Sequence, residues 1–331
     1  MGRGVMGAGN WIVDTIKTID RWPGEGNLCN IQRQEMAPGG GACNLLFDLA
    51  VMDSALPLTA IGKLGSDREG DFLLSEIGKR GISSSGMEQT DLAPTSYTDV
   101  MSGGGRRTFF HCRGANALLG GEDILGSEVE AKIFYLGYLL LLDRLDEGDP
   151  EYGTVGARVL HAMRERGMKT VVDFVSEAPE KFQRVVRAAL PHIDVLVVNE
   201  VEAGSTFNLP IRREGDSLDF EAMDRCSELF IGNGVKEAVV IHFPEGVYCR
   251  TAQGNKLHLP SFPIAPGEIV GSVGAGDAFC AGVVYGLHED YPLEQTLKLA
   301  NASAYANLKS AGSSTGALPL AELRRIISRF C

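Results

Sequence analysis

Cysteine contributes little organisation to this chain of 331 residues. The seven cysteines (Cys29, Cys43, Cys112, Cys226, Cys249, Cys280, Cys331) are odd in number and show no C-x-x-C spacing. This argues against a disulfide framework or a zinc site and fits reduced thiols. Six histidines supply no H-x-x-x-H pair, so a zincin-type centre is not expected either. Positive charge is in deficit: 31 Lys and Arg against 43 Asp and Glu give a net charge of -12. A nucleic-acid partner is therefore not expected, and an anionic small molecule would need a local basic pocket. No apolar run reaches the roughly 18 residues of a membrane span. The start, Met1-Gly2-Arg3-Gly4, lacks a signal-peptide layout. The expectation is a soluble, cytoplasmic protein with no membrane partner.

What is present is an ordinary globular composition, 44% hydrophobic and 22% charged, enough for a large core. No tandem repeat or low-complexity tract interrupts it. In the second half, short apolar runs at 131–138, 170–174, 193–198 and 238–243 alternate with amphipathic stretches at 155–166, 180–190 and 220–232. Continuous apolar strands separated by helices predict a mainly parallel sheet covered on both faces, with ligands at the strands' C-terminal ends. The first 115 residues differ. The stretches 11–19, with a continuation at 27–33, and 96–113 read as partly exposed strands, and Gly103-Gly104-Gly105 as a hairpin tip. They predict a small sheet beside the main one, drawn from about 11–33 and 96–113. It would act as a lid, and a homodimer built through it is compatible with that role.

The run Gly271-Ser272-Val273-Gly274-Ala275-Gly276-Asp277 opens a helical pattern over 278–286. Unpaired N–H groups at a helix start, with the helix dipole, favour an anion, and small residues let the backbone approach a phosphate. Asp277 adds a carboxylate there, which suits a base that takes a proton from an attacking hydroxyl. The plain alternative is a capped glycine turn. Pro38-Gly39-Gly40-Gly41-Ala42-Cys43-Asn44 leads into a helical pattern over 45–51; it reads as a glycine-rich turn, or as a surface where Asn44 meets a polyol. Asn199-Glu200-Val201-Glu202 follows a buried strand. A carboxylate there can serve Mg²⁺, or simply favour a helix start. Gly2-Arg3-Gly4-Val5-Met6-Gly7 matches G-x-G-x-x-G, but no strand can precede it, so a dinucleotide site is not expected.

In this order along nearly the whole chain, the motifs resemble the ribokinase-type (PfkB) carbohydrate kinases. Beside those above, the resemblance rests on Asp14, on Gly62, Gly65, Asp67 and Gly70, on Arg113-Gly114-Ala115-Asn116, on Asn199 with Glu202 as N-x-x-E, and on Asn301 in a late helix. It implies one ribokinase-like α/β domain over 1–331, three-layered, with a small β lid. It also implies ATP- and Mg²⁺-dependent phosphorylation of a sugar hydroxyl, of the ketose or pentose class such as fructose or ribose. Asp277 would be the general base, and Gly274, Ala275 and Gly276 the anion hole. Asp14, Gly40, Asn44 and Arg113 would hold the sugar. Asn199, His242, Gly246 and Asn301 would hold the nucleotide, and Glu202 would serve Mg²⁺. A nucleoside kinase, a sugar-acid (ketodeoxygluconate-type) kinase and a non-catalytic sugar-binding relative are the alternatives.

Two departures stand out. The family's D-T-x-G-A-G-D begins here with Gly271, so the aspartate of a monovalent-cation site is absent. The nucleotide loop, often T-x-G-x-x-G, reads His242-Phe243-Pro244-Glu245-Gly246, one residue shorter. Arg106, Arg107 and Arg113, near the lid return, either pair on the surface or meet an anionic substrate.

Overall fold

Successive residues of the buried strands face opposite ways, and both faces are apolar. Val5, Ile133, Tyr135, Val171, Val195 and Val197 belong to one core. Their neighbours Met6, Phe134, Leu136, Val172, Leu196 and Val198 belong to the other. Such strands can only form the middle layer of three. The computed structural model describes residues 2–104, 106–175, 182–213, 217–310 and 312–330. Its strands are β1 (Val5–Gly9), β2 (Ile12–Ile19), β3 (Ile31–Gly39), β4 (Leu58–Gly65), β5 (Ser83–Thr90), β6 (Tyr97–Gly103), β7 (Arg106–Cys112), β8 (Ile133–Leu139), β9 (Gly148–Asp149), β10 (Gly153–Thr154), β11 (Lys169–Phe174), β12 (Val195–Asn199), β13 (Ala238–Phe243), β14 (Gly246–Thr251) and β15 (Lys256–Pro260).

Among the described residues the main sheet has the order β15-β14-β13-β12-β11-β8-β1-β4-β5. From β5 to β13 all neighbours pair in parallel; β14 and β15 close the other edge as antiparallel strands. The chain builds outward from β1 through β4 and β5, then restarts at β8 on β1's other side. The switch point therefore lies between β1 and β8, where an open α/β sheet leaves a ligand crevice. The Gly41–Met52, Ala275–His288 and Leu293–Asn307 helices cover one face. The Val155–Glu165 and Phe220–Gly232 helices cover the other.

A second, four-stranded sheet has the order β3-β2-β6-β7. Asn116 pins it where it leaves the main sheet. Its amide accepts from Trp11 N and donates to Trp11 O, at 3.2 and 3.1 Å, while its own N–H reaches Ser96 Oγ at 3.0 Å. The Arg113-Gly114-Ala115-Asn116 motif thus ties together the chain's two departures into the small sheet. Trp11, wholly buried, adds a hydrogen bond from Nε1 to Ile61 O at 2.9 Å.

Boundaries differ from expectation in four places. The small sheet's second strand is β3, Ile31–Gly39, and does not begin at 27. Pro38 and Gly39, expected in a turn, complete it; β3 is an edge strand, where a missing N–H is tolerated. Gly62 and Gly65, which the resemblance to the family's pattern places with Asp67 and Gly70 in one characteristic loop, lie in β4, and only Asp67 turns the chain by capping the Arg68–Lys79 helix. The stretch expected to be helical over 180–190 opens on a π-helical turn, Phe182–Val186, followed by Arg187–Ala189, and residues 180 and 181 lie outside the described residues. Gly105 of the expected hairpin tip also lies outside them.

The Ala275–His288 helix is held against Leu293–Asn307 at Gly282, where a Cβ would stand 2.5 Å from Ala300 Cα. Backbone cannot yield there. Gly282→Val should destabilise the fold by about 1–3 kcal/mol or more, whereas Gly78→Ala, on an exposed helical position with open space, should stabilise it by about 0.4–1 kcal/mol. Urea denaturation of the two variants checks the contrast; equal midpoints would refute it.

Candidate active site

At the switch point three separate stretches of chain meet on one carboxylate. Asp277 lies in the first turn of the Ala275–His288 helix. Its Oδ2 accepts from Asn44 Nδ2 at 2.8 Å and its Oδ1 accepts from the Tyr138 hydroxyl at 2.6 Å. Asn44 is on the Gly41–Met52 helix and Tyr138 is on β8. Burial pushes the Asp277 carboxyl up to about 6, against the pull of the Tyr138 and Asn44 hydrogen bonds. Burial, then the charge of Asp277, holds the Tyr138 phenol well above its ordinary value, so it stays protonated and donates. Asn44 Oδ1 is buried without a hydrogen-bond partner.

The backbone at this helix start is shaped for close approach. Gly274 caps it with a left-handed φ of 77°, and a Cβ there would fall 2.0 Å from Ser313 O. The Ala275 N–H leans toward Ser272 O at 3.3 Å. The amides of Gly276 and Asp277 follow in the same first turn, where N–H groups have no helical acceptor. Gly276 faces the ring of His242, on β13. Burial pushes His242 down to about 4, so the ring is neutral, and it lies 5.1 Å from the Phe279 ring.

Two cavities adjoin here. One, of about 230 Å³, is lined by Tyr138, Asp173, Asn199, Glu202, Gly274 and Asp277 among others. The second, of about 510 Å³, is mostly apolar, and its lining includes Phe243, Pro244, Gly246, Phe262, Asn301 and Tyr305. Asn199, His242 and Gly276 border both. The short loop at 242–246 has a simple form: β13 and β14 pair directly through Phe243 and Gly246, leaving Pro244 and Glu245 as a two-residue turn. Asn301 donates to Pro260 O at 3.1 Å, which fixes the wall of the large cavity.

Asn199 and Glu202 form a capping box. The Asn199 side chain accepts from Val201 N and Glu202 N at 2.9 and 2.8 Å, and Glu202 Oε2 accepts from Asn199 N at 3.0 Å. Both nevertheless border the smaller cavity. Burial, then the Asp277 charge, raises Asp173 well above the carboxylate range, against a hydrogen bond with the Tyr135 hydroxyl. Among the described residues no three such side chains are close enough to chelate a metal ion. Asp173, Glu202 and Asp277, acids that repel one another around one cavity, fit a cation shared with phosphate oxygens and water.

Asp14, on β2, sits where a Cβ on Gly39 would be 2.3 Å from its Oδ2. Burial pushes its carboxyl up to about 6; a Thr98 hydrogen bond opposes this and the Asp277 charge adds to it. Gly40 caps the helix that carries Asn44. Arg113 is elsewhere: it pairs with Asp143 at 2.7 Å on a partly exposed surface. The arginine that shares a cavity with Asp14 is Arg107, with Ile16, Ala37, Val100, Phe109, Val273 and Ser313. Tyr138 and Asp173 did not emerge from sequence reasoning. The available signal was position, since each is a polar group at the C-terminal end of an apolar run, where the crevice opens.

The architecture and the motifs have relatives. The chain is 22% identical to a ribokinase of Staphylococcus aureus over 96% of both chains. It is 25% identical to an adenosine kinase of Saccharomyces cerevisiae over 87% of this chain and 82% of the other. Its fold superposes with a TM-score of 0.80 on Arabidopsis thaliana ribokinase complexed with ribose and ATP, at 20% identity and 99% coverage of both chains. The model of the pfkB family carbohydrate kinases matches residues 8–320, and the chain belongs to that family of phosphotransferases.

Proposed function

We propose that this enzyme transfers the γ-phosphoryl group of ATP to a hydroxyl of a ketose or pentose-type sugar, with Asp277 as general base. The observation that carries the reading is the Asn44–Asp277–Tyr138 arrangement beside the first-turn amides of Gly276 and Asp277. A carboxylate next to an anion site weakens anion binding, and its usefulness lies in removing a proton. Tyr138 and Asn44 fix both its oxygens, and burial puts its pKa near the operating pH, where a base is most effective.

In this reading Asp14 and Asn44 orient the sugar, Asp14 from the small sheet and Asn44 from the main one. Asp277 accepts the proton of the attacking hydroxyl. The first-turn amides stabilise charge on the transferring group, so catalysis is by positioning and electrostatics. The large apolar cavity takes the base, with Pro244 and Gly246 at its rim and Asn301 in its wall. Neutral His242 spaces the base from the phosphates. Glu202 and Asp173 would hold Mg²⁺ through water or phosphate oxygens, and the ion would supply charge neutralisation. The space between the face of the small sheet that carries Asp14 and the stretch holding Val273 and Ser313 is only about 20 Å³, too small for a sugar. The small sheet must therefore move as a lid, opening for the acceptor and excluding water as it returns.

Asp277→Asn should lose about 10²–10⁴-fold in kcat with little change in sugar affinity. Near-normal turnover in an ADP-release assay would remove Asp277 from the role. In the wild type, kcat/KM should fall as pH drops through about 6, because the base is active only when ionised. Asp14 titrates in the same range and steepens the fall. A profile flat from about pH 5 to 8 would contradict this. Gly271 offers no carboxylate to a monovalent cation, so adding K⁺ at constant ionic strength should change turnover by less than about tenfold. A larger rise would show a cation site built from other oxygens.

A further inference from the structure

Of the three arginines on the return through β7, two are engaged. The Arg106 guanidinium lies 5.5 Å from the Trp22 ring centroid, and Arg113 pairs with Asp143. Arg107 is half-buried, lines the cavity that holds Asp14, and has no ion pair or hydrogen bond with any described residue. A cation withdrawn from water without a counter-charge is unfavourable until a partner arrives.

The register of the small sheet shows which partner fits. Residues directly opposite on paired strands share a face. Ala37, Asp14, Thr98 and His111 form one row across β3, β2, β6 and β7. The next row on the same face is Glu35, Ile16, Val100 and Phe109, and the third is Arg33, Thr18, Ser102 and Arg107. Rows two residues apart are separated by about 7 Å along the strands. The face over the active site is thus graded. A carboxylate and hydroxyl-binding row lies nearest Asp277, a row that is apolar at Ile16, Val100 and Phe109 follows, with Glu35 at its outer edge, and a row of two arginines and two hydroxyls is farthest away. Arg33 is paired with Glu35; Arg107 is the cation left open. Asp14 and Arg107 line the same small cavity on this face.

We propose that the acceptor is an anionic polyol, carrying a carboxylate or phosphate at the end remote from the phosphorylated hydroxyl, and that Arg107 binds this group. This rests on the preceding reading that the reacting hydroxyl faces Asp277. Arg107 is then a specificity residue. It contacts the acceptor and leaves the chemistry to the Asp277 end.

The test uses acceptors of matched carbon skeleton: a neutral ketohexose, a six-carbon keto-sugar acid and a ketohexose monophosphate. For the wild type, kcat/KM for one charged acceptor should exceed that for the neutral one by about 100-fold, the scale of a charge-assisted hydrogen-bonded pair. The carboxylate and phosphate arms tell which anion is the natural one. Arg107→Gln should raise KM for the charged acceptor by roughly 10–100-fold, leave its kcat nearly unchanged, and leave the neutral sugar unaffected; Arg107→Lys should recover part of the loss. The proposal is overturned if the neutral sugar is used as well as the charged ones, if no charged member is turned over, or if Arg107→Gln weakens all acceptors equally. Asp277→Asn, run on the same panel, separates the two readings. Retained turnover there refutes the base and leaves the Arg107 comparison valid.

Discussion

A carboxylate kept nearly dry at the start of a helix is the constraint on which this architecture turns. Asp277 is 6% exposed, and a charge so placed is tolerated only with its hydrogen bonds satisfied. One partner, Asn44, comes from a helix near the N-terminus. The other, Tyr138, comes from the end of the strand that reopens the sheet. Each requires the sheet to switch direction between β1 and β8, because only there do the three elements converge. Gly274 lets the chain turn into the helix against Ser313, and Gly282 lets that helix pack against its neighbour backbone to backbone. Small residues at these two points set where the carboxylate stands.

Charge distribution around Asp277 follows the same logic. Asp14 and Asp173 are each raised in pKa by burial and further by Asp277, while His242 is held neutral. The pocket therefore concentrates acids that resist ionising together, on a wall that also offers helix-start amides. In the proposed reading, phosphate with a divalent cation would reconcile these two tendencies, the ion meeting the acids and the amides the phosphate oxygens. The cavity beyond His242 has a mostly apolar lining, and Asn301 in its wall already donates to Pro260 O.

The small sheet places polarity by position along its strands. Its alternation turns Asp14, Ile16, Val100, Phe109 and Arg107 toward one cavity, while Lys17 and Asp99, one residue out of phase, pair with each other on the opposite face. A slip of one residue would exchange the two sets. Asn116 and Trp11 secure the junction against such a slip.

Much of this was legible in the residues themselves. Apolar runs near 131, 170, 193 and 238 are strands because β-branched and aromatic residues in short continuous blocks have no exposed face to offer. The glycines before Asp277 and the order of the motifs marked the family, and Asp277, Asn44, Asp14, Asn199 and Glu202 were each noted in advance. Other features could not be read locally. Pro38 and Gly39 look like a turn but finish an edge strand, because its partner β2 supplies the ladder. Arg113 and Arg107 are equivalent in sequence, six residues apart on the same return. Asp143, thirty residues further on, engages one of them, and the register of β6 with β7 turns the other toward Asp14. Local pattern determined which segments are strands and helices and which residues could carry the chemistry. Tertiary structure alone decided which side chains share a cavity, because burial and pairing depend on elements far away in the chain.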